Sequence, residues 1–215
     1  MTDTHRIAGI AALLDIANLD TDQIMPKQFL RGIDKAGLDK GVLWDLRFDG
    51  EGRPRADFVL NRPEYAGTRV LVAGPNFGCG SSREHAVWGL QQYGIRAVIA
   101  PSFAEIFYSN AMNNGLLAVT LPETDIIELM KETTEGAAPM RVEIDVDVMI
   151  VRSPRMTRSF ALSDRHRRMF LEGVDMIGAT LAHKADIAAF AQRHWGQQPW
   201  VRDVARRTKQ RLERR

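Results

Sequence analysis

Residues 74–90 read GPNFGCGSSREHAVWGL, and in this run two serines and an arginine follow directly on Gly78 and Gly80. Glycine allows positive φ and lets a ligand approach the main chain closely. Ser81-Ser82-Arg83-Glu84 then places two hydroxyls, a guanidinium and the unpaired N–H groups of a starting helix together, a combination suited to an anion. The stretch predicts a site for an acid, either a carboxylate or a phosphate.

Two other readings compete for the same residues. A dinucleotide-binding turn requires a third glycine at the position Arg83 occupies. Ser81 and Glu84 also match the S-x-x-E capping box, in which the serine does no more than close a helix N-terminus. Capping alone does not account for the paired glycines, the second serine and the arginine together, so Ser81 stands either as a cap or as a functional hydroxyl.

Further candidate groups precede this stretch. Asp20, Thr21 and Asp22 lie among residues whose side chains bond their own backbone, which places them on a loop as turn formers. Residues 24–32 set Phe29 and Leu30 beside Lys27 and Arg31 around Pro26. That mixture fits recognition of a substrate with both an alkyl and an acidic part, or ordinary loop packing. Cys79, flanked by glycines, is either a reactive thiol or a small filler in a tight turn. It is the one cysteine, so neither an internal disulfide nor an iron–sulfur or structural zinc site can be built from this chain's thiolates. The five histidines show no metal-ligand spacing and read as surface or packing residues, His85 included.

These groups need a frame. Residues 69–73 form a short apolar run ending at Gly74-Pro75, which reads as a buried strand. A helix over about 82–93, a strand over 95–100, a helix over about 103–114 and a strand over 116–121 complete a βαβαβ series, hence a parallel sheet with right-handed crossovers. Ser102 and Glu105 form a second possible capping box, and Asn113-Asn114-Gly115 is a helix stop. Residues 7–14 read as an opening strand, residues 33–67 as turn-rich chain, and residues 123–133 as a third helix. Residues 141–151 alternate apolar and charged side chains, as in one strand with a wet face, and residues 157–162 should pair with it. Helices over 164–172 and 174–194 follow, with Gly178 as a candidate break in the second.

The chain has 215 residues, 45% hydrophobic and 26% charged, with a net charge of +2. This is ordinary globular composition. No apolar run approaches the roughly 20 residues that span a bilayer, and the N-terminus lacks the pattern of a secretory signal, so a cytoplasmic protein is expected. The overall charge is too small to argue a nucleic-acid partner. The domain plan is one domain over 1–201 and a basic tail over 202–215. The tail, with Arg202, Arg206, Arg207, Lys209, Arg211, Arg214 and Arg215, reads as a solvated, frayed end or as a surface for RNA or an acidic partner.

Taken together, GPNFGCGSSREHAVWGL, NLDTDQIMPKQFLRGI, IRAVIAPSFAEIFYSNAMNNGLLAV and DMIGATLAHKADIAAFAQRHW resemble the small-subunit family of 3-isopropylmalate dehydratase, relatives of aconitase. The resemblance runs from Ile7 to about Trp200. It implies an α/β fold, a swivelling β/β/α domain of the aconitase C-terminal type whose mixed sheet has a βαβαβ parallel core flanked by helices. It implies a hydro-lyase active only with a large subunit that carries a [4Fe–4S] cluster, in a heterodimer or larger hetero-oligomer. No cofactor is then bound by this chain. The reaction implied is interconversion of 2- and 3-isopropylmalate, dicarboxylic hydroxy acids of leucine biosynthesis, through 2-isopropylmaleate. By the same resemblance Ser81 is the base and Asp22 an active-site aspartate; Ser82 and Arg83 hold carboxylates, and Phe29, Leu30 and Arg31 lie in the substrate-sorting loop. A related hydro-lyase acting on methylmalate, dimethylmalate or homoaconitate is the nearest alternative, and a non-catalytic RNA-binding module a more distant one.

Overall fold

The computed structural model describes residues 5–30, 35–136 and 138–214, so Arg31 lies outside the described residues. The chain divides into two compact units, Met1–Gly173 and Val174–Arg215.

In the first unit, β1 (Arg6–Leu14) leads to the short helix α1 (Thr21–Ile24), and a series of 3-10 turns then encloses α2 (Trp44–Arg47). Four alternating elements follow: β2 (Val70–Ala73), α3 (Glu84–Tyr93), β3 (Ala97–Ala100) and α4 (Glu105–Asn113). The unit continues with β4 (Leu117–Thr120), α5 (Glu123–Glu135), β5 (Arg141–Asp145), β6 (Ile150–Arg152), β7 (Thr157–Ser159) and α6 (Asp164–Glu172). The strands form one seven-stranded sheet in the order β4-β3-β2-β1-β5-β6-β7.

β1 joins the two halves of this sheet. Its first five residues pair antiparallel with β5, from Arg6 opposite Asp145 to Ile10 opposite Arg141. Its last four pair parallel with β2, from Ala11 opposite Val70 to Leu14 opposite Ala73. β2, β3 and β4 continue in parallel. Every residue of β2 and β3 is buried, as expected of parallel strands covered on both faces, which read as continuous apolar runs. α5 lies across β1, β2 and β3.

The βαβαβ run, the turn-rich chain before it and the third helix are found where the sequence places them. Residues 141–151 are not one strand. The Asp145 carboxylate accepts the N–H groups of Asp147 (3.0 Å) and Val148 (3.1 Å), and Met149 takes a left-handed φ of 58°. This side-chain turn folds the alternating run into the β5–β6 hairpin, because an Asp that bonds the backbone two and three residues on competes with the ladder.

The second unit contains α7 (Met176–Leu181), α8 (Lys184–Gln197) and α9 (Val204–Glu213). The break lies between Leu181 and Lys184. Gly178 sits inside α7, where its N–H donates to the capping Asp175 carboxylate at 2.7 Å. Within the basic tail, α9 is helical. None of the described helices is long and apolar enough to cross a membrane.

Candidate functional site

The site lies at the carboxyl ends of the parallel strands, the edge at which open α/β sheets bind ligands. The loop leaving β2 runs between the loops leaving β1 and β3. On one side Asn18 N–H donates to the Pro75 carbonyl at 2.9 Å, Gly78 N–H to Leu19 at 2.8 Å, and Thr21 N–H to Cys79 at 2.8 Å. On the other, Phe77 N–H donates to Ser102 at 3.1 Å and Ala104 N–H to Phe77 at 3.0 Å. The loop thus continues the strand order β1-β2-β3 past the end of the sheet.

Two glycines make this course possible. Gly78 takes φ +77°, and a Cβ there would lie 2.2 Å from Cγ of Phe107. Phe107 is fixed in turn by the buried Phe77, whose ring meets it edge-on at 5.2 Å. Gly80 takes φ +91°, and its Cβ would meet the Asp20 Cβ at 3.4 Å and the Thr21 hydroxyl at 3.5 Å. Ser81 and Ser82 follow, both exposed.

Ser81 does not cap a helix. α3 begins at Glu84 with Arg83 as the flanking residue, and no side-chain hydrogen bond closes its start. The Ser102 hydroxyl likewise accepts from Asn76 N–H at 2.9 Å instead of capping α4. Both capping-box matches fail because the serines are used in tying the loops together or left at the surface.

α1 reaches these residues from the β1 side. Asp20, Thr21 and Asp22 are not on a loop: Asp20 caps α1 in a capping box with Gln23, its carboxylate accepting Gln23 N–H at 2.7 Å and Gln23 Oε1 accepting Asp20 N–H at 3.1 Å. This orients the turn. Thr21, 2% exposed, donates its hydroxyl hydrogen to the Ser81 carbonyl at 2.8 Å. Asp22 accepts a hydrogen bond from the Arg83 guanidinium; the aspartate side chain is half-exposed and the arginine largely buried. Asp22, Ser81, Ser82 and Arg83 are therefore gathered by one helical turn and one loop.

The remaining candidates sit differently. The Phe29 ring packs on Trp44 at 5.3 Å and covers Gly41, where a Cβ would lie 2.5 Å from it. Leu30 is partly buried against the core. Cys79 donates its thiol hydrogen to the Asn18 carbonyl at 3.2 Å and so helps to fix the loop. The His85 ring lies against Trp88 at 4.9 Å. Thr21 is the residue that the sequence presents only as a turn former. Its place immediately before Asp22, in the TD pair, was the available signal.

An anionic ligand at this edge would meet two exposed hydroxyls, the start of a ten-residue helix and a guanidinium that already has a carboxylate partner. Among the described residues no group of His, Cys, Asp and Glu side chains is arranged to hold a metal ion.

Comparison with known proteins is consistent across its parts. The family model of the aconitase C-terminal domain matches residues 1–124. A second, describing the C-terminal domain of 3-isopropylmalate dehydratase small subunits, matches residues 176–204. A 3-isopropylmalate dehydratase small subunit 1 of Chromobacterium violaceum is 65% identical over 214 residues, 99% of this chain and 100% of that protein. A 3-isopropylmalate dehydratase small subunit from Phenylobacterium zucineum is 47% identical over 196 residues, 91% of this chain and 96% of that one. A crystal structure of 3-isopropylmalate dehydratase from Methanocaldococcus jannaschii superposes with a TM-score of 0.61 at 31% identity, covering 86% of this chain and 98% of that chain.

Proposed function

The chain belongs to the 3-isopropylmalate dehydratase small-subunit family, relatives of aconitase, and we propose that it works in the cytoplasm as the base-supplying half of a two-subunit hydro-lyase. Its fold is the swivelling β/β/α type of the aconitase C-terminal domain. The reaction of the family belongs to leucine biosynthesis. In 2-isopropylmalate the hydroxyl is on the carbon that bears the isopropyl group; in 3-isopropylmalate it is on the neighbouring carbon. Interconversion removes a proton from one carbon and hydroxide from the other, giving 2-isopropylmaleate, and returns them exchanged.

The observation that carries the site is the gathering of Ser81, Ser82, Arg83 and Asp22 at the carboxyl edge of the parallel strands. Ser81, as alkoxide, takes the proton from the carbon beside a carboxylate and later returns one. Ser82 and Arg83 hold the carboxylates, and Asp22 keeps the guanidinium in place between turnovers. Leu30 and Arg31 belong to the loop that sorts substrates. Phe29, whose ring is packed on Trp44, contributes by setting the course of that loop.

With a single cysteine this chain cannot ligate a [4Fe–4S] cluster, which takes several thiolates. The cluster, and with it chemistry at the departing hydroxyl, belongs in this reading to the large subunit. That partner is needed for the base as well. A helix start stabilises an anion by at most about 2 kcal/mol, which is roughly 1.5 pKa units at 1.36 kcal/mol per unit. That is far short of ionising an aliphatic hydroxyl near neutrality, so Arg83 and donors in a closed, dry interface must supply the rest.

The test is an assay of the chain alone and after reconstitution with the iron–sulfur large subunit. Turnover of 2-isopropylmalate, in preference to methylmalate, dimethylmalate or homoaconitate, is expected only from the complex. Turnover by the isolated chain overturns the reading.

A further inference from the structure

We propose that Thr21 is the positioning residue of the reaction, holding the Ser81 main chain from beneath so that the serine oxygen is presented in one orientation. The proposal rests on Ser81 being the base. Thr21 grips the chain on both sides of Gly80: its N–H donates to the Cys79 carbonyl and its hydroxyl to the Ser81 carbonyl, each at 2.8 Å. Gly80 itself passes over the Thr21 hydroxyl, with room for a Cβ at 3.5 Å and little more. The three residues 79–81 are thus fastened at both ends to one side chain and its own backbone.

Thr21 is in turn held in place. It is 2% exposed, its carbonyl accepts Met25 N–H at 3.0 Å, and the Asp20–Gln23 capping box fixes the helical turn to which it belongs. Ser81, by contrast, is exposed and follows a glycine with φ +91°, a residue that places few limits on its neighbours. Without the threonine hydroxyl, the only described hydrogen bond that directs the Ser81 peptide is gone. Ser81 is exposed and the bond itself only part-buried, so the stability at stake is that of one ordinary hydrogen bond. Orientation is another matter, since a misplacement of about 1 Å at a reacting group can cost about 10²-fold in rate.

Threonine also couples the two halves of the site. The next residue along α1 is Asp22, which pairs with Arg83, so one helical turn sets both the base and the carboxylate-binding arginine. A change at Thr21 that leaves the backbone of α1 intact should affect the base and spare the arginine.

The experiment compares Thr21→Val, Thr21→Ser and Ser81→Ala in the reconstituted two-subunit enzyme. Thr21→Val is expected to lower kcat at least about 10-fold with KM within about threefold, by the orientation argument, while Thr21→Ser, which keeps the hydroxyl, restores kcat to near the parent. Thr21→Ala replaces Thr21→Val should the latter fail to fold, and the urea midpoint of each variant separates a kinetic loss from unfolding. The proposal is overturned if kcat survives removal of the hydroxyl, if Thr21→Ser does not rescue it, or if the loss appears in KM alone. An active Ser81→Ala enzyme overturns the base assignment itself, and this proposal with it. An inactive Ser81→Ala beside a fully active Thr21→Val overturns only the role of Thr21.

Discussion

The Arg83 guanidinium donates to the Asp22 carboxylate across 61 residues of sequence, from the residue that precedes α3 to the first turn of α1. The pair has a large difference in exposure, 17% for the arginine side chain and 45% for the aspartate. In the proposed function the arginine that receives a substrate carboxylate is thus already oriented by one, and the substrate would enter as a second acceptor on a planar, five-donor group.

Asp22→Asn should accordingly leave the fold almost unchanged, since pairs with an exposed partner contribute about 0.2–1 kcal/mol. Catalysis should suffer more. With the arginine no longer held, kcat/KM of the reconstituted enzyme is expected to fall by at least about 10-fold, the equivalent of 1.36 kcal/mol. Arg83→Lys should lose more than that, because an ammonium cannot bond two carboxylates through a planar fork. Steady-state kinetics with a parallel denaturant titration separates the two effects; parent-like kcat/KM in both variants would remove Arg83 from the site.

The two site glycines make a graded prediction. Gly80→Ala places a methyl group in ordinary contact with Asp20 and Thr21 but in a left-handed conformation, which costs an L-residue about 1–2 kcal/mol. Gly78→Ala adds a collision with the Phe107 ring, and overpacking of this kind costs about 1–3 kcal/mol more. Urea midpoints should therefore fall in the order parent, Gly80→Ala, Gly78→Ala. The reverse order would mean that Phe107 moves aside freely.

The frame of this site was legible in the sequence where local pattern and tertiary need agree. The apolar runs of β2, β3 and β4 and the stop at Asn114-Gly115 depend on burial and on positive φ, which residue type alone reports. What was not legible depends on which of several partners, near or distant in sequence, a polar side chain takes. Asp20, Thr21 and Asp22 have turn chemistry, yet a capping box with Gln23 and bonds to Cys79, Ser81 and Arg83 make them a helix. Ser81 matched a capping motif that the structure leaves unused, because Arg83 takes the flanking position. The run at 141–151 has a strand's alternation, and only the Asp145 carboxylate turning back on its own backbone ends the strand early. The loop proposed to sort substrates reaches Arg31, outside the described residues, and Phe29 packs its near end on Trp44.

Asp145 also predicts a pH dependence. The Val148 N–H is the strongest influence holding its carboxyl below the ordinary value of 3.8; burial opposes this, and Arg6 and the Asp147 N–H add to it. A carboxyl depressed in the folded protein binds fewer protons there than in the unfolded chain, so its contribution is complete above the ordinary value and is lost as pH falls through the folded one. Asp145→Asn removes the charge but keeps a side-chain carbonyl that accepts the same two N–H groups. The variant should therefore resemble the parent less at neutral pH than near pH 3, the difference in urea midpoint shrinking as the medium is acidified. A difference constant from pH 7 downward would show that the β5–β6 turn does not depend on the charge.

The basic helix α9 gives the last prediction. The C-terminal family model ends at residue 204, at the first residue of α9 (Val204–Glu213). Within α9 the basic side chains are exposed, and two of them are paired locally, Arg206 with Asp203 at 3.3 Å and Lys209 with Glu213 at 3.8 Å. Pairs of this kind stabilise a helix by only about 0.3–0.5 kcal/mol. The helix thus lies beyond the segment that the family model matches, although the Chromobacterium violaceum relative aligns along 99% of the chain, and none of the proposed site residues lies in it. Deleting residues 205–215 should leave the activity of the reconstituted enzyme within about twofold, under the roughly 1.4 kcal/mol that a tenfold change represents. Loss of activity on deletion would give α9 a part in assembly. Binding of RNA by the full chain, falling steeply with salt and abolished by the deletion, would instead favour a nucleic-acid role for the tail.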